Sequence, residues 1–553
     1  MSTLDWIVLG LIALGLVGIV LWVLKKKDKD TADYFLAGRD ATWIAIGASI
    51  FASNIGSEHL VGLAGSGAES GMAMAHWEMH GWMILLLGWL FVPFYARSKV
   101  FTMPEFLERR YNPQARSFLS IISLVSYVLT KVAVTVYAGG VVFKDVFDIE
   151  YVTAFGYTID FFWVSAIGLV VLTGLYTTFG GMKAVLYTSV LQTPILLFGS
   201  IAVLILGLIK IGGWSEMMEI ARANVTVHGD SMTSLIRSPK DPDFPWTGVI
   251  LGSAIIGFWY WCTDQFIVQR VLSGRDMKQA RRGTIFGAYL KLTPVFIFLI
   301  PGMIAYGLQQ KGLFVLENND AAFSTMVKEL LPIGFKGVVI GGILAALMSS
   351  LAALFNSSAM LFTVDFYQKY RPNRDEKHYV TVGRLATVVV VLLGIAWIPV
   401  MRGLGKVLYE YLQDVQSLLA PGIAAVFLLG VVSKKTTPAA GIWGLIIGFT
   451  LGMTRLGLNI FSGSIAKDAL IYKIFLQHNW LHYEIYLFFL VIISMVVISY
   501  FTKKKDPSLI TGLTIRSASA EQTAETRLSY NNWDIVNSII IIAIILVFYA
   551  YFW

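Results

Sequence analysis

The sequence predicts an all-α membrane protein with 14 transmembrane helices, and three observations carry that prediction. The first is composition: the 553 residues are 56% hydrophobic and only 14% charged, with a mean hydropathy of +0.68. Soluble domains carry roughly 25% charged residues, so a chain this apolar cannot cover a water-facing surface. The second is a succession of apolar runs, each near the ~20 residues that cross a bilayer. The third is their grouping. Runs two to six and runs seven to eleven form two sets of five, and because five is odd the sets start from opposite sides of the membrane. Two such sets make inverted repeats, a common plan for secondary transporters.

The first run, 4–24, follows almost no basic residues and precedes no small-residue cleavage site. It is expected to be a retained helix, not a signal peptide. The others lie at 40–64, 76–96, 118–144, 159–178, 184–211, 245–270, 283–308, 334–364, 379–401, 405–431, 438–459, 479–501 and 533–552. Residues 40–211 then form the first repeat and 245–432 the second. Residues 1–39 supply a leading helix and the first cytoplasmic loop, and 433–553 supply three further helices. The polar loop 212–244 is long enough to fold over the mouth, and the polar loop 502–532 is expected to be mobile. Basic residues mark one side: Lys25-Lys26-Lys27, Arg97 to Arg116, Arg270 to Arg282, Lys369 to Lys377, Lys434-Lys435 and Lys503 to Arg527. The positive-inside rule makes that side cytoplasmic and puts both termini outside, in a multi-pass protein of the plasma or inner membrane. The net charge of +8 therefore reflects topology, and neither nucleic acid nor an obligatory protein partner is expected beside the lipid bilayer.

The opening helix of each repeat is interrupted. The second run holds Asn54-Ile55-Gly56-Ser57-Glu58-His59 and then Gly62, Gly65 and Gly67; the seventh holds Gly252, Gly257 and Cys262-Thr263-Asp264-Gln265. Polar, glycine-interrupted centres at matching positions of two repeats point to a midplane site. A polar or charged side chain at membrane depth is expensive, so it is a functional candidate by default. Glu78, Lys291, Gln413 and Asp414, Ser349-Ser350, Asn356 and Asp264 all qualify. Arg384 and Lys131 are read as side chains that snorkel or bind helices together. Glu78, Lys291 and Gln413 come from three helices and supply the mixed donors and acceptors that a polyhydroxylated ligand needs.

An enzyme is not expected. The seven histidines have no H-E-x-x-H spacing, a Walker A motif is absent, and the single cysteine, Cys262, has no paired base. A channel would show filter repeats or rings of charge, and neither is found.

Four stretches resemble the sodium/glucose cotransporters of the sodium:solute symporter family. They are Gly47-Ala48-Ser49-Ile50-Phe51-Ala52-Ser53-Asn54-Ile55-Gly56-Ser57; Trp259-Tyr260-Trp261-Cys262-Thr263-Asp264-Gln265 with Val268-Gln269-Arg270; Met348-Ser349-Ser350-Leu351 with Phe355-Asn356-Ser357; and Pro421-Gly422-Ile423-Ala424-Ala425-Val426-Phe427. The similarity runs from about 30 to 505 and recurs at the last helix. It implies a LeuT-type fold with two five-helix inverted repeats, and Na+ as the coupling ion. By resemblance, sodium would be held by the carbonyls of Ala52, Ile55 and Ala346 and the hydroxyls of Ser349 and Ser350, oxygen ligands suited to a hard cation. The sugar site would comprise Asn54, His59, Glu78, Tyr260, Trp261, Lys291 and Gln413. Tyr260 would be the inner gate, and Leu63, Trp77 and Tyr409 the outer one.

Three positions depart from the family. Tyr187-Thr188-Ser189 has Ser where many relatives have an Asp linked to a second sodium, Gln416 stands for a Thr near the sugar, and Gly257 replaces a polar residue. The expected function is sodium-coupled symport of a hexose, glucose or galactose, into the cell by alternating access. The alternative is another polyol, such as myo-inositol.

Overall fold

The computed structural model describes residues 1–26, 28–56, 58–154, 156–225, 229–403 and 408–553, without the side chains of 129, 154, 400–403, 408–414 and 516. It is built almost wholly of helices, with one antiparallel hairpin pairing Tyr151–Ala154 with Tyr157–Asp160. Among the described residues, 11 helices are long and apolar enough to cross a membrane. Their outer faces carry large apolar side chains without protein cover. In the helix Thr3–Leu24, Leu11, Leu14 and Val17 all face outward. In water such a surface would drive association; against lipid it is the ordinary condition of a spanning helix.

Length explains why 11 helices qualify where 14 runs are predicted. The runs 159–178 and 184–211 join into one helix, Phe161–Ile211, bent at Gly181. Gly181 has φ 51°, and a Cβ there would stand 2.4 Å from the Tyr34 carbonyl oxygen, so both conformation and space demand glycine. The runs 40–64 and 245–270 are each broken in the middle. Trp43–Asn54 ends at Ile55, which turns extended (φ −75°, ψ 105°), before a π-helical turn over Glu58–Leu63. Trp246–Phe258 passes through a π-helical turn, Trp259–Thr263, and stops at Asp264, whose carboxylate caps the next helix, Gln265–Leu272.

Glycines bring helices into backbone contact. A Cβ on Gly302 would lie 1.9 Å from the Ala64 carbonyl oxygen, and one on Gly67 would lie 2.2 Å from that of Leu299. The spans Glu58–Ser98 and Met277–Gln310 thus lock reciprocally, as small residues allow in membranes. The first helix is tied down as well: Ser2 caps it, and Asp5 Oδ1 accepts the N–H groups of Gly334 (2.7 Å) and Gly337 (3.1 Å) at the start of Phe335–Met360.

The long loops are folded. In 212–244, Met72 donates its N–H to the Met232 carbonyl (2.8 Å), Arg237 donates to the Ser70 carbonyl, and Leu235 donates to Phe552 (2.8 Å). The loop 502–532, expected to be mobile, instead forms the helix Ala520–Leu528 with a Ser519–Gln522 capping box. Arg97 donates to the Gln522 carbonyl (2.7 Å) and to Thr526, and Arg281 donates to Ser529. Arg97 and the buried Arg281 give this segment fixed partners, which its polarity alone does not reveal.

Candidate functional site

The two broken helices approach each other across a buried polar cluster. Asn54, the last helical residue before the first break, donates through Nδ2 to the Tyr260 hydroxyl (3.1 Å) in the π-turn of the second. Lys291, from Met277–Lys291, donates to Asn54 Oδ1 (3.1 Å) and to Glu78 Oε2 (2.6 Å). His59 Nε2 stands 3.5 Å from Glu78 Oε1. The Lys291 ammonium also lies 5.4 Å from the centre of the Trp261 ring. Five of the seven expected sugar contacts are therefore joined in one network, and Trp261 lies against it. All six of these residues are buried.

These side chains line a cavity of about 60 Å³ together with Glu58, Leu63, Trp77, His80, Ile256, Gly257 and Gln416. A space of that size holds a few water molecules, so a larger ligand requires the cavity to widen. At the end of the cavity near the 212–244 loop, Trp77 stacks on Trp480 (6.0 Å between centres) and meets Phe244 edge-on (6.1 Å). Leu63 is buried beside them. The expected contacts of Gln413 and Tyr409 fall outside the residues whose side chains are described, whereas Gln416 of the same helix lines the cavity wall.

Beneath Tyr260 lies a second layer. Lys131 Nζ donates to Asp264 Oδ2 (2.6 Å), the Tyr127 hydroxyl donates to Asp264 Oδ1, and Phe266 donates its N–H to the Tyr127 oxygen (3.1 Å). The rings of Tyr127, Trp259, Tyr260 and Phe266 surround the ammonium at 4.8–5.2 Å, a cation–π box. Lys131 does bind helices together, but it does so buried, as the floor of the candidate site. Glu58 is a residue that sequence reasoning passed over as a cavity wall; its position in the polar run after Ile55 was the available signal. His80 was passed over for lack of one.

One of the candidate cation ligands, Ser350, stands against the first helix break. Ala346, Ser349 and Ser350 share one buried face of Phe335–Met360, at the i, i+3 and i+4 spacing. Ser350 Oγ lies 3.5 Å from where a Cβ on Gly56 would stand, which sets it against the first helix break. No described backbone N–H outside that helix donates to the Ala52 or Ile55 carbonyl. Carbonyls released at a break, faced by hydroxyls, make an oxygen-lined position for a hard cation. Ser189 stands beside it, donating to the Val185 carbonyl (2.6 Å), 3.1 Å from Ser349 Oγ and 3.4 Å from Ser49 Oγ.

Residues 34–448 match the model of the sodium:solute symporter family. The chain is 36% identical to sodium/glucose cotransporter 1 of Sus scrofa over 517 residues, covering 87% of this chain and 76% of that one. It is 34% identical to sodium/myo-inositol cotransporter 2 of Homo sapiens over 543 residues, 92% and 78% of the two chains. A solved structure of a Na+-coupled sialic acid symporter, in a substrate-bound outward-open state, superposes with a TM-score of 0.73 at 18% identity, over 91% of this chain and 99% of that one. That last likeness is one of fold.

Proposed function

The chain belongs to the sodium:solute symporter family, and from that premise we propose that it carries a hexose, glucose or galactose, across the membrane together with sodium. The observation that carries the reading is the network of Asn54, Tyr260, Lys291, Glu78 and His59, built on both helix breaks. Its members offer a carboxylate, an ammonium, an amide, a phenol and an imidazole within one cavity. A hexose presents hydroxyls on every edge, each both donor and acceptor, and such a ligand exchanges its hydrogen bonds for those that the network makes with itself. The cotransporter relatives named for glucose and for myo-inositol support a polyol of this size.

In this reading sodium is held by Ala52, Ile55, Ala346, Ser349 and Ser350, and Gln413 completes the sugar site. Tyr260 closes it from the inside; Leu63, Trp77 and Tyr409 close it from the outside. In this reading the two arms of Phe161–Ile211 on either side of Gly181 count as separate spans and the two broken helices also cross, which makes fourteen. Residues 40–211 and 245–432 are then the inverted repeats, with both termini outside and the lysine-rich loops in the cytoplasm.

The test is uptake by purified protein in liposomes. Labelled glucose, galactose, myo-inositol and sialic acid are offered under a sodium gradient. Hexose accumulation that persists with a protonophore present supports the reading; proton-driven uptake in sodium-free buffer, or preference for inositol, overturns it.

A further inference from the structure

The geometry points to His80 as a further sugar-contacting residue, an imidazole that takes the place on the cavity wall left open by Gly257; this rests on the hexose reading above. His80 is two residues beyond Glu78, is only 3% exposed, and lines the same cavity as Gly257 and Ile256. A Cβ on Gly257 would stand 2.8 Å from its Cε1, 2.9 Å from Nδ1 and 3.2 Å from Nε2. The ring therefore occupies the volume that any side chain at 257 would need. Gly257 sits within the regular helix Trp246–Phe258 and has no positive φ, so it is there for space and not for backbone freedom.

A neighbour one turn away supplies the contrast. His76 uses both ring nitrogens, Nδ1 with the Tyr549 hydroxyl (2.7 Å) and Nε2 with the Leu235 carbonyl (2.9 Å), and is a structural histidine. His80 Nε2 is enclosed with no hydrogen-bond partner, a condition that costs free energy when it persists. Its ring plane is steadied by an edge-to-face contact with Trp82 (6.4 Å). A neutral imidazole offers one donor and one acceptor, which a sugar hydroxyl can meet with its lone pair and its proton. Sites that hydrogen-bond a particular hydroxyl discriminate strongly against the analogue that lacks it, because the protein group is then left unpaired. His80 therefore sets which hydroxyl pattern the cavity accepts.

The experiment measures sodium-driven uptake and binding of glucose, galactose and their monodeoxy analogues in proteoliposomes, for the wild type, His80→Ala, His80→Gln and the double variant His80→Ala/Gly257→Asn. The expected result is that His80→Ala weakens the parent hexose about tenfold, the scale of one well-placed hydrogen bond. One deoxy analogue should bind wild type and His80→Ala alike, His80→Gln should recover part of the loss, and the double variant should change the glucose-to-galactose preference. A loss of equal size for every analogue, or an unchanged parent affinity, overturns the assignment. His80→Gln carries the same comparison if the alanine variant does not fold. Absence of hexose uptake by the wild type removes the hexose reading itself, and this inference with it.

Discussion

Glu78 and Lys291 hold each other at 2.6 Å with side chains about 5% exposed, so each has two tasks that mutation can separate. Removing one partner of a buried pair leaves the other charge uncompensated and costs about 3–5 kcal/mol of stability, whereas removing both is often close to neutral. Glu78→Ala and Lys291→Ala should each lower the melting temperature of the detergent-purified protein, and the double variant should recover much of it. Sugar binding should not recover: a hydrogen bond to a charged group contributes about 1.5–3 kcal/mol, roughly tenfold or more in affinity. If the double variant binds sugar like the wild type, the pair is helix glue. Ser350 permits a cleaner test, since its hydroxyl faces the break at Gly56. Ser350→Ala should raise the sodium concentration for half-maximal uptake and leave the melting temperature close to that of the wild type. An unchanged sodium requirement would remove Ser350 from the ligand set. At this scale the sequence revealed which residue types were out of place in lipid, Asn54, Glu78 and Lys291 among them. It did not reveal pairing. Lys131 reads as a side chain that snorkels or binds helices together, and which of the two holds shows only when Asp264, on another helix, is seen 2.6 Å from its ammonium.

Among the elements, the two broken helices were legible because the break needs special chemistry: Gly56 and the polar run after it, and Asp264 as a cap for the helix that resumes. Other boundaries were not. The bend at Gly181 looked like a gap between two spans, because a helix that turns and continues has the same apolar pattern as two helices and a short loop. The segment 502–532 looked mobile because its docking partners, Arg97 and Arg281, lie hundreds of residues away. The glycine contacts give a prediction that belongs to helices and not to the site. Gly302→Ala would place a Cβ 1.9 Å from the Ala64 carbonyl oxygen, whereas a Cβ on Gly10 meets nothing within 4 Å. Overpacking of this kind costs about 1–3 kcal/mol or more. Thermal unfolding should show Gly302→Ala clearly destabilised and Gly10→Ala unchanged. Equal melting temperatures would mean that the spans Glu58–Ser98 and Met277–Gln310 are not locked.

For the whole molecule the sharpest question is how many sodium ions accompany each sugar. Ser189 is uncharged, and its hydroxyl is committed to the Val185 carbonyl and its serine neighbours. Asp365, the buried carboxylate of the span Phe335–Tyr370, is occupied by Arg116 (2.8 Å), Thr102 (2.8 Å) and Ser120 (2.8 Å). A second cation would lack a compensating charge in a low-dielectric setting, so the expected ratio is one. A potential of 100 mV contributes about 2.3 kcal/mol per charge and a tenfold sodium gradient about 1.4 kcal/mol. One sodium then concentrates sugar roughly 500-fold, and two would reach on the order of 10⁵. Reversal potentials in proteoliposomes distinguish these values, and a ratio of two would show that Ser189 does not limit the stoichiometry. The first helix break has a further consequence, which concerns how the two ligands feel each other. Asn54, bonded to Tyr260 and Lys291, is the immediate neighbour of Ile55, whose carbonyl belongs to the proposed cation set. Adjacent residues of one chain segment thus serve the two ligands, so whichever arrives first biases the conformation that the second must meet. Such coupling is reciprocal in equilibrium affinity: sodium should tighten sugar binding by the same factor by which sugar tightens sodium.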